Sequence, residues 1–256
     1  MQPTAGDDRA QDRSPSVIDH TRTAIVAEGL AARPISRHCV GPFLARSHAC
    51  LGISPFNGYF TTERITELAA WALRTFSAVH LFVPDVPAAM TLQALGYPPD
   101  RAATKARRQA GYLRNKICRA LETLRVAEPT TLILDWAALS GNPVYSGHLR
   151  AVSDLFDSDV DFQETCLEAT RWVLEGRLKD SEITRAQLRL AVDYLLAELP
   201  LFIDTATIVG QSASVFCYHQ ATPFLQRLYG RELAVRPVDR QGFAVLAPGF
   251  DQGMTQ

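Results

Sequence analysis

Short apolar runs alternate with longer segments of helical period along most of this chain. Four runs end in turn residues and predict buried strands: His48–Ser54, Ala78–Val83, Thr130–Leu134 and Ser214–Tyr218. Between them, apolar positions three and four apart predict helices over Thr62–Phe76, Pro87–Leu95, Arg101–Val126, Phe162–Glu175 and Ser181–Leu199. Strands separated by long helices imply parallel pairing. The expected fold class is α/β, a doubly wound, mainly parallel sheet with helices on both faces. Ligands of such sheets sit beyond the carboxyl ends of the strands. Ser54, Asp85, Asp135 and His219 fall at or just after those ends, so four polar groups are expected on one edge.

Residues 1–20 are polar and rich in Gly, Pro, Asp and Arg, which predicts a mobile tail. Residues 247–256 look similar, and 21–246 read as a single catalytic domain. The 256 residues are 47% apolar, enough for a sizeable core and too many for wholesale disorder. No apolar run approaches the roughly 18 residues of a membrane span. The stretch Met1 to Arg9 lacks an apolar segment, which argues against a secretory signal. Five scattered cysteines do not suggest a disulfide framework, and a cytoplasmic location is expected.

Charge changes the picture at one place. The chain is nearly neutral, at −1, yet Arg101, Lys105, Arg107, Arg108, Arg114, Lys116 and Arg119 lie in one helical segment without an acidic residue. Seven cations forgo the usual Glu–Lys pairing, so a docked polyanion is favoured over a merely solvated face.

Candidate chemistry starts at Gly52-Ile53-Ser54-Pro55-Phe56-Asn57-Gly58-Tyr59-Phe60. A serine leaving a buried strand, held among Gly and Pro, is placed to be an exposed nucleophile; the bland alternative is a Ser-Pro turn. The hydrolase elbow G-x-S-x-G is not met, since Phe56 stands at its second glycine. Tyr194 and Glu198, four apart on a helix, share a face. They suit an ammonium group as well as a solvated surface. Tyr218-His219 closes a strand and offers a proton relay near the serine, or two side chains that find backbone partners at a sheet edge. His80 and His148 read as structural. His38-Cys39 and His48-x-Cys50 fit no zinc spacing, and no metal or cofactor is expected. The absence of a P-loop and of G-x-G-x-x-G argues against ATP activation.

The serine segment, Tyr194-x-x-x-Glu198-x-Pro200, and Tyr218-His219 twenty-four residues after Tyr194 together resemble the cyclodipeptide synthases. Asn57, Tyr218 and His219 match the branch with asparagine three residues after the serine. Phe82-Val83-Pro84-Asp85, Gly96 and the basic helix are also similar, so the resemblance spans roughly residues 36–230. It implies a Rossmann-like fold similar to class I aminoacyl-tRNA synthetase catalytic domains, without ATP motifs. It also implies aminoacyl-tRNAs as substrates, no membrane and a monomer. Ser54 would take the first aminoacyl group, a second aminoacyl-tRNA would give a dipeptidyl-enzyme, and ring closure would free the serine. Glu198 and Tyr194 would anchor the ammonium, Tyr218 would relay protons, and Asn57 and His219 would fix the geometry. The basic helix would hold tRNA phosphates. Cys50, Gly52, Val83, Leu201 and Phe216 are the expected pocket residues. Gly58, where the family leads one to expect a small polar residue, is expected to alter pocket shape. A serine hydrolase acting on esters and a non-catalytic tRNA-binding α/β protein are the alternatives.

Overall fold

A computed structural model describes residues 25–27, 29–178 and 182–248. Among the described residues, seven strands form one sheet, in the order β1-β2-β7-β6-β3-β4-β5. They are β1 (Ile25–Ala27), β2 (Leu30–Pro34), β3 (His48–Gly52), β4 (Ala78–Val83), β5 (Ile133–Asp135), β6 (Ser214–Tyr218) and β7 (Gln241–Pro248). The five strands from β7 to β5 run parallel, while β1 and β2 add an antiparallel edge beside β7. The expected mixed α/β architecture, mostly parallel, is therefore the observed one.

The four anticipated strands form, with β3 and β5 shifted at their ends. Thr130 to Leu132 belong to a 3-10 turn, so β5 begins only at Ile133. Strands β1, β2 and β7 were not anticipated. The last of them runs to Pro248, past the expected boundary at 246, so Ala247 and Pro248 pair with β2. Residues 1–20 and 249–256 lie outside the described residues.

The helices are α1 (Val40–Ala45), α2 (Thr62–Thr75), α3 (Ala88–Ala94), α4 (Pro99–Thr123), α5 (Trp136–Ser140), α6 (Pro143–Ser158), α7 (Val160–Glu175), α8 (Arg185–Ile208) and α9 (Pro223–Gly230). They cover both faces of the sheet, because alternate residues of a strand point to opposite sides. Cys50 joins the core under α6, α7 and α8, whereas its neighbours Ala49 and Leu51 join the core under α2 and α4. Strand β3 is buried along its whole length, as the centre of a doubly covered sheet must be.

Helix α4 is fixed by its small residues. Ala102, Ala106, Ala110, Leu113 and Ile117 recur at steps of three and four and are all buried. Alanines along the N-terminal half let α3 and the Ser54 loop pack closely, in a cluster that holds Ala88, Ala102, Ala106, Phe56 and Tyr194. Helix α8 starts with a capping box between Thr184 and Gln187. It continues beyond Leu199 and through Pro200. The Tyr145 hydroxyl donates to the Ala197 carbonyl at 2.8 Å, in the turn that proline disturbs. The break comes instead at Asp204, whose φ of −156° and ψ of 59° are not helical. Its carboxylate accepts from Thr207 N at 3.0 Å and so caps the final turn.

Candidate active site

Ser54 follows β3 by two residues and stands at the carboxyl edge of the sheet. Its hydroxyl lies 2.8 Å from the Tyr218 hydroxyl at the end of β6. Parallel pairing makes this contact, because Cys50 is registered opposite Phe216 and the two strands emerge side by side. Gly52 is required beneath it. A Cβ there would meet the Phe216 ring at 2.8 Å and the Tyr218 ring at 3.2 Å. Phe56, two residues beyond the serine, adopts a left-handed φ of 60°, an uncommon conformation for a bulky residue.

The Asn57 amide nitrogen donates to His219 Nε2 at 3.1 Å, and its oxygen accepts from Tyr59 N at 3.0 Å. His219 Nε2 is thereby an acceptor, which leaves the neutral ring protonated on Nδ1. Burial lowers the His219 pKa and favours that form. Tyr59 stacks on His219 with ring centres 4.4 Å apart. Lys116 donates to the Phe60 carbonyl at 3.0 Å and ties α4 to this loop.

Tyr194 and Glu198 face the serine from α8. The Tyr194 hydroxyl interacts with both the Glu198 carboxyl and the Ser54 side chain. Protein surrounds the Glu198 carboxyl, which still opens onto a cavity. Burial pushes its pKa up to about 7, and the Tyr194 contact only partly opposes that shift. Burial likewise raises the Tyr218 phenol, and the Ser54 contact partly offsets this. The site therefore combines a serine hydroxyl, two protonated phenols and a carboxylate poised near neutrality.

These groups line a cavity of about 610 Å³, the size of a small-molecule site. Ser54, Asn57, Tyr194, Glu198 and Tyr218 are on its wall, and His219 backs Asn57. Of the expected pocket residues, Gly52 and Phe216 line it. Val83 and Leu201 do not: each is one residue away from the side chain that does, Phe82 on β4 and Phe202 on α8. Val83 alternates to the opposite face of the sheet, and Leu201 turns into the core with no exposure. Cys50 has the right face but lies one layer deeper, opposite Phe216. Gly58 is exposed and outside the wall, and a Cβ there would meet nothing within 4 Å, so it does not shape the pocket. Leu195, expected to face the core, packs against it and also lines the cavity.

Asp85 and Asp135 do not join the site. Asp85 accepts from Trp136 N at 3.1 Å, and Asp135 accepts from Ala138 N at 3.1 Å while pairing with Arg114. His48 is spent at the other end of the sheet. It bonds Ser214 at 2.8 Å and His80 at 2.9 Å, and burial lowers its pKa to about 3.

The seven cations of α4 divide into two groups. Arg114, Lys116 and Lys105 are engaged within the protein, by Asp135, by the Phe60 carbonyl and by the Tyr97 hydroxyl at 2.6 Å. Arg101, Arg107, Arg108 and Arg119 are exposed and make no ion pair among the described residues. The positive face is thus smaller than the composition implied.

The sequence did not single out the end of α7. Trp172, Val173, Glu175 and Arg177 lie on the cavity wall, although their stretch reads as an ordinary helix end with solvated charge. Phe56 also lines the cavity; its place between Ser54 and Asn57 was the available signal.

The family profile for cyclodipeptide synthases matches residues 30–248. A cyclo(L-tyrosyl-L-tyrosyl) synthase of Mycobacterium tuberculosis is 31% identical over 227 residues, covering 88% of this chain and 78% of the relative. A cyclo(L-leucyl-L-leucyl) synthase of Bacillus subtilis is 28% identical, covering 84% and 88%. A solved M. tuberculosis structure superimposes with a TM-score of 0.78 at 29% identity, over 88% of this chain and 96% of that one. It is described as demonstrating that cyclodipeptide synthetases are related to type I tRNA synthetases.

Proposed function

This chain belongs to the cyclodipeptide synthase family, and from that premise we propose that it joins the amino acids of two aminoacyl-tRNAs into a cyclic dipeptide through an ester on Ser54. The observation that carries the reading is the 2.8 Å contact between Ser54 and Tyr218 inside a cavity that Glu198 also faces.

The first step is transesterification. Ser54 Oγ bonds to the aminoacyl carbonyl, the bond to the tRNA ribose oxygen breaks, and the serine proton passes to that oxygen. Tyr218, hydrogen-bonded to Oγ, and Tyr194 beside it provide the relay. Ionised Glu198 holds the ammonium of the bound residue. The ammonium gives one proton to the Glu198 carboxylate, and the free amine attacks the carbonyl of the second aminoacyl-tRNA. The bond to the second ribose oxygen breaks, and that oxygen takes the proton the amine sheds. A dipeptidyl ester on Ser54 and a free tRNA result. The new terminal amine then attacks the Ser54 ester, closing the ring and returning the proton to Oγ. Each acyl group arrives activated as an ester, and ester to amide runs downhill, so no nucleotide is consumed.

Asn57 and His219 hold the loop after the serine. Arg101, Arg107, Arg108 and Arg119 meet tRNA phosphates on the face of α4. Phe82, Phe202, Phe216 and Phe243 make much of the cavity apolar, which favours apolar or aromatic amino acids in the product. Expression in a bacterial host, with mass spectrometry of the medium, tests the reading. New diketopiperazines are expected; turnover of a simple aryl ester without them would favour the hydrolase instead.

A further inference from the structure

Arg177 has no role in the reading above, yet it stands in the same cavity wall. It follows Gly176, the residue that ends α7. Its guanidinium carbon lies 6.0 Å from the centre of the Phe56 ring, two residues from Ser54. Its charge reaches the Tyr218 phenol and favours the ionised form of that group. The side chain is exposed and makes no ion pair among the described residues. Glu175 lines the same wall without pairing to it. No residue of α4 belongs to that wall, so the basic helix supplies no cation there.

A guanidinium without a carboxylate partner among the described residues, set against an aromatic ring at a cavity wall, suits a phosphate that it can grip with two N–H groups. The substrate class proposed above brings one such anion to this place. Its reacting ester sits on the terminal ribose of an RNA, and the phosphodiester before that ribose is only a few bonds away. We propose that Arg177 is a positioning residue that binds this phosphate and holds the ester carbonyl at Ser54. The assignment rests on the tRNA-dependent reading and adds to it a contact separate from the α4 face.

The test compares wild type, Arg177→Ala and Arg177→Lys with one purified aminoacyl-tRNA across a series of salt concentrations. Mass spectrometry first scores the acyl adduct on wild-type Ser54. Its absence sinks the Ser54 reading and this proposal together. With the adduct present, Arg177→Ala should raise KM about tenfold, as loss of a charge-assisted hydrogen bond does, with kcat nearly unchanged. The slope of log KM against log salt should become shallower by about 0.7, the loss of one single-strand phosphate contact. Arg177→Lys should recover the slope and most of the KM. An unchanged KM and slope in Arg177→Ala, whether or not kcat falls, would overturn the proposal.

Discussion

Ser54 and Tyr218 share a 2.8 Å hydrogen bond between hydroxyls that are 164 positions apart in the chain. The parallel register of β3 and β6 sets that distance, and Gly52 leaves the room for it. The remaining chemistry is arranged around this pair.

Ser54→Ala should abolish both the acyl-enzyme and the cyclic product while leaving the melting temperature nearly unchanged. Ser54 is only part-buried, and the change removes one oxygen. Intact-mass analysis after mixing with charged tRNA checks this; an acyl adduct on the alanine variant would end the nucleophile assignment.

Tyr218→Phe keeps the ring against Phe60 and removes the partner of the Ser54 hydroxyl. Turnover should fall by about 10²-fold or more, the usual loss when a proton-transfer group is deleted. Single-turnover acylation rates measure it. Wild-type rates would assign the relay to Tyr194 alone.

Glu198 gives the site a pH dependence. Its carboxyl titrates at about 7 in the folded protein, against 4.5 as the reference value. In the proposed function the ionised form binds the ammonium, so acylation should rise with pH through about 7, and Glu198→Gln should flatten that profile. The stability effect has the opposite sign. The native state favours the proton, so this carboxyl costs nothing below about 4.5 and destabilises the fold progressively as pH rises through 7. The full cost is about 3 kcal/mol. Urea unfolding at pH 4.5 and 8 should show that decline in wild type and a smaller one in Glu198→Gln.

Gly52→Ala should destabilise the protein by about 1–3 kcal/mol, as overpacking of a tight interior does. The new methyl would press on Phe216 and Tyr218. Activity should fall further than stability does, because Tyr218 is displaced from Ser54. Full activity in this variant would mean that the two rings yield without moving the hydroxyl.

The cations of α4 should separate by assay. Neutralising Arg107 and Arg108 should weaken use of tRNA, flatten its salt slope and spare the melting temperature. Arg114→Ala should instead cost about 2 kcal/mol or more, because it strands Asp135, whose side chain is only 7% exposed. Salt titrations and denaturation curves on the same variants distinguish the two effects.

Much of the fold was legible because burial leaves a period. Helix α2 and strands β4 and β6 coincide closely with their apolar patterns. Helix α6 was legible in part and was missed. Asn142-Pro143 is a good start signal, but only Tyr145, Val152 and Phe156 are fully buried on it. Strands β2 and β7 escaped because their pairing is antiparallel and long-range, with Leu30 opposite Pro248. The pocket errors at Val83 and Leu201 were single-residue errors. They arose because choosing the face of an apolar run takes knowledge of what packs on each side.

By itself the sequence determined the chemistry on offer: a serine after a buried strand, a Tyr–Glu pair four apart on a helix, and a basic helix packed through alanines. Tertiary structure decided which groups meet. It placed Tyr218 on Ser54, retired Asp85 and Asp135 to hydrogen bonds with the backbone of α5, tied up Arg114 and Lys116, and set Arg177 in the cavity wall. Periodicity is a local property and survives in one dimension. Sheet register and the closing of a cavity depend on burial summed over strands and helices far apart in the chain, and no single segment carries that sum.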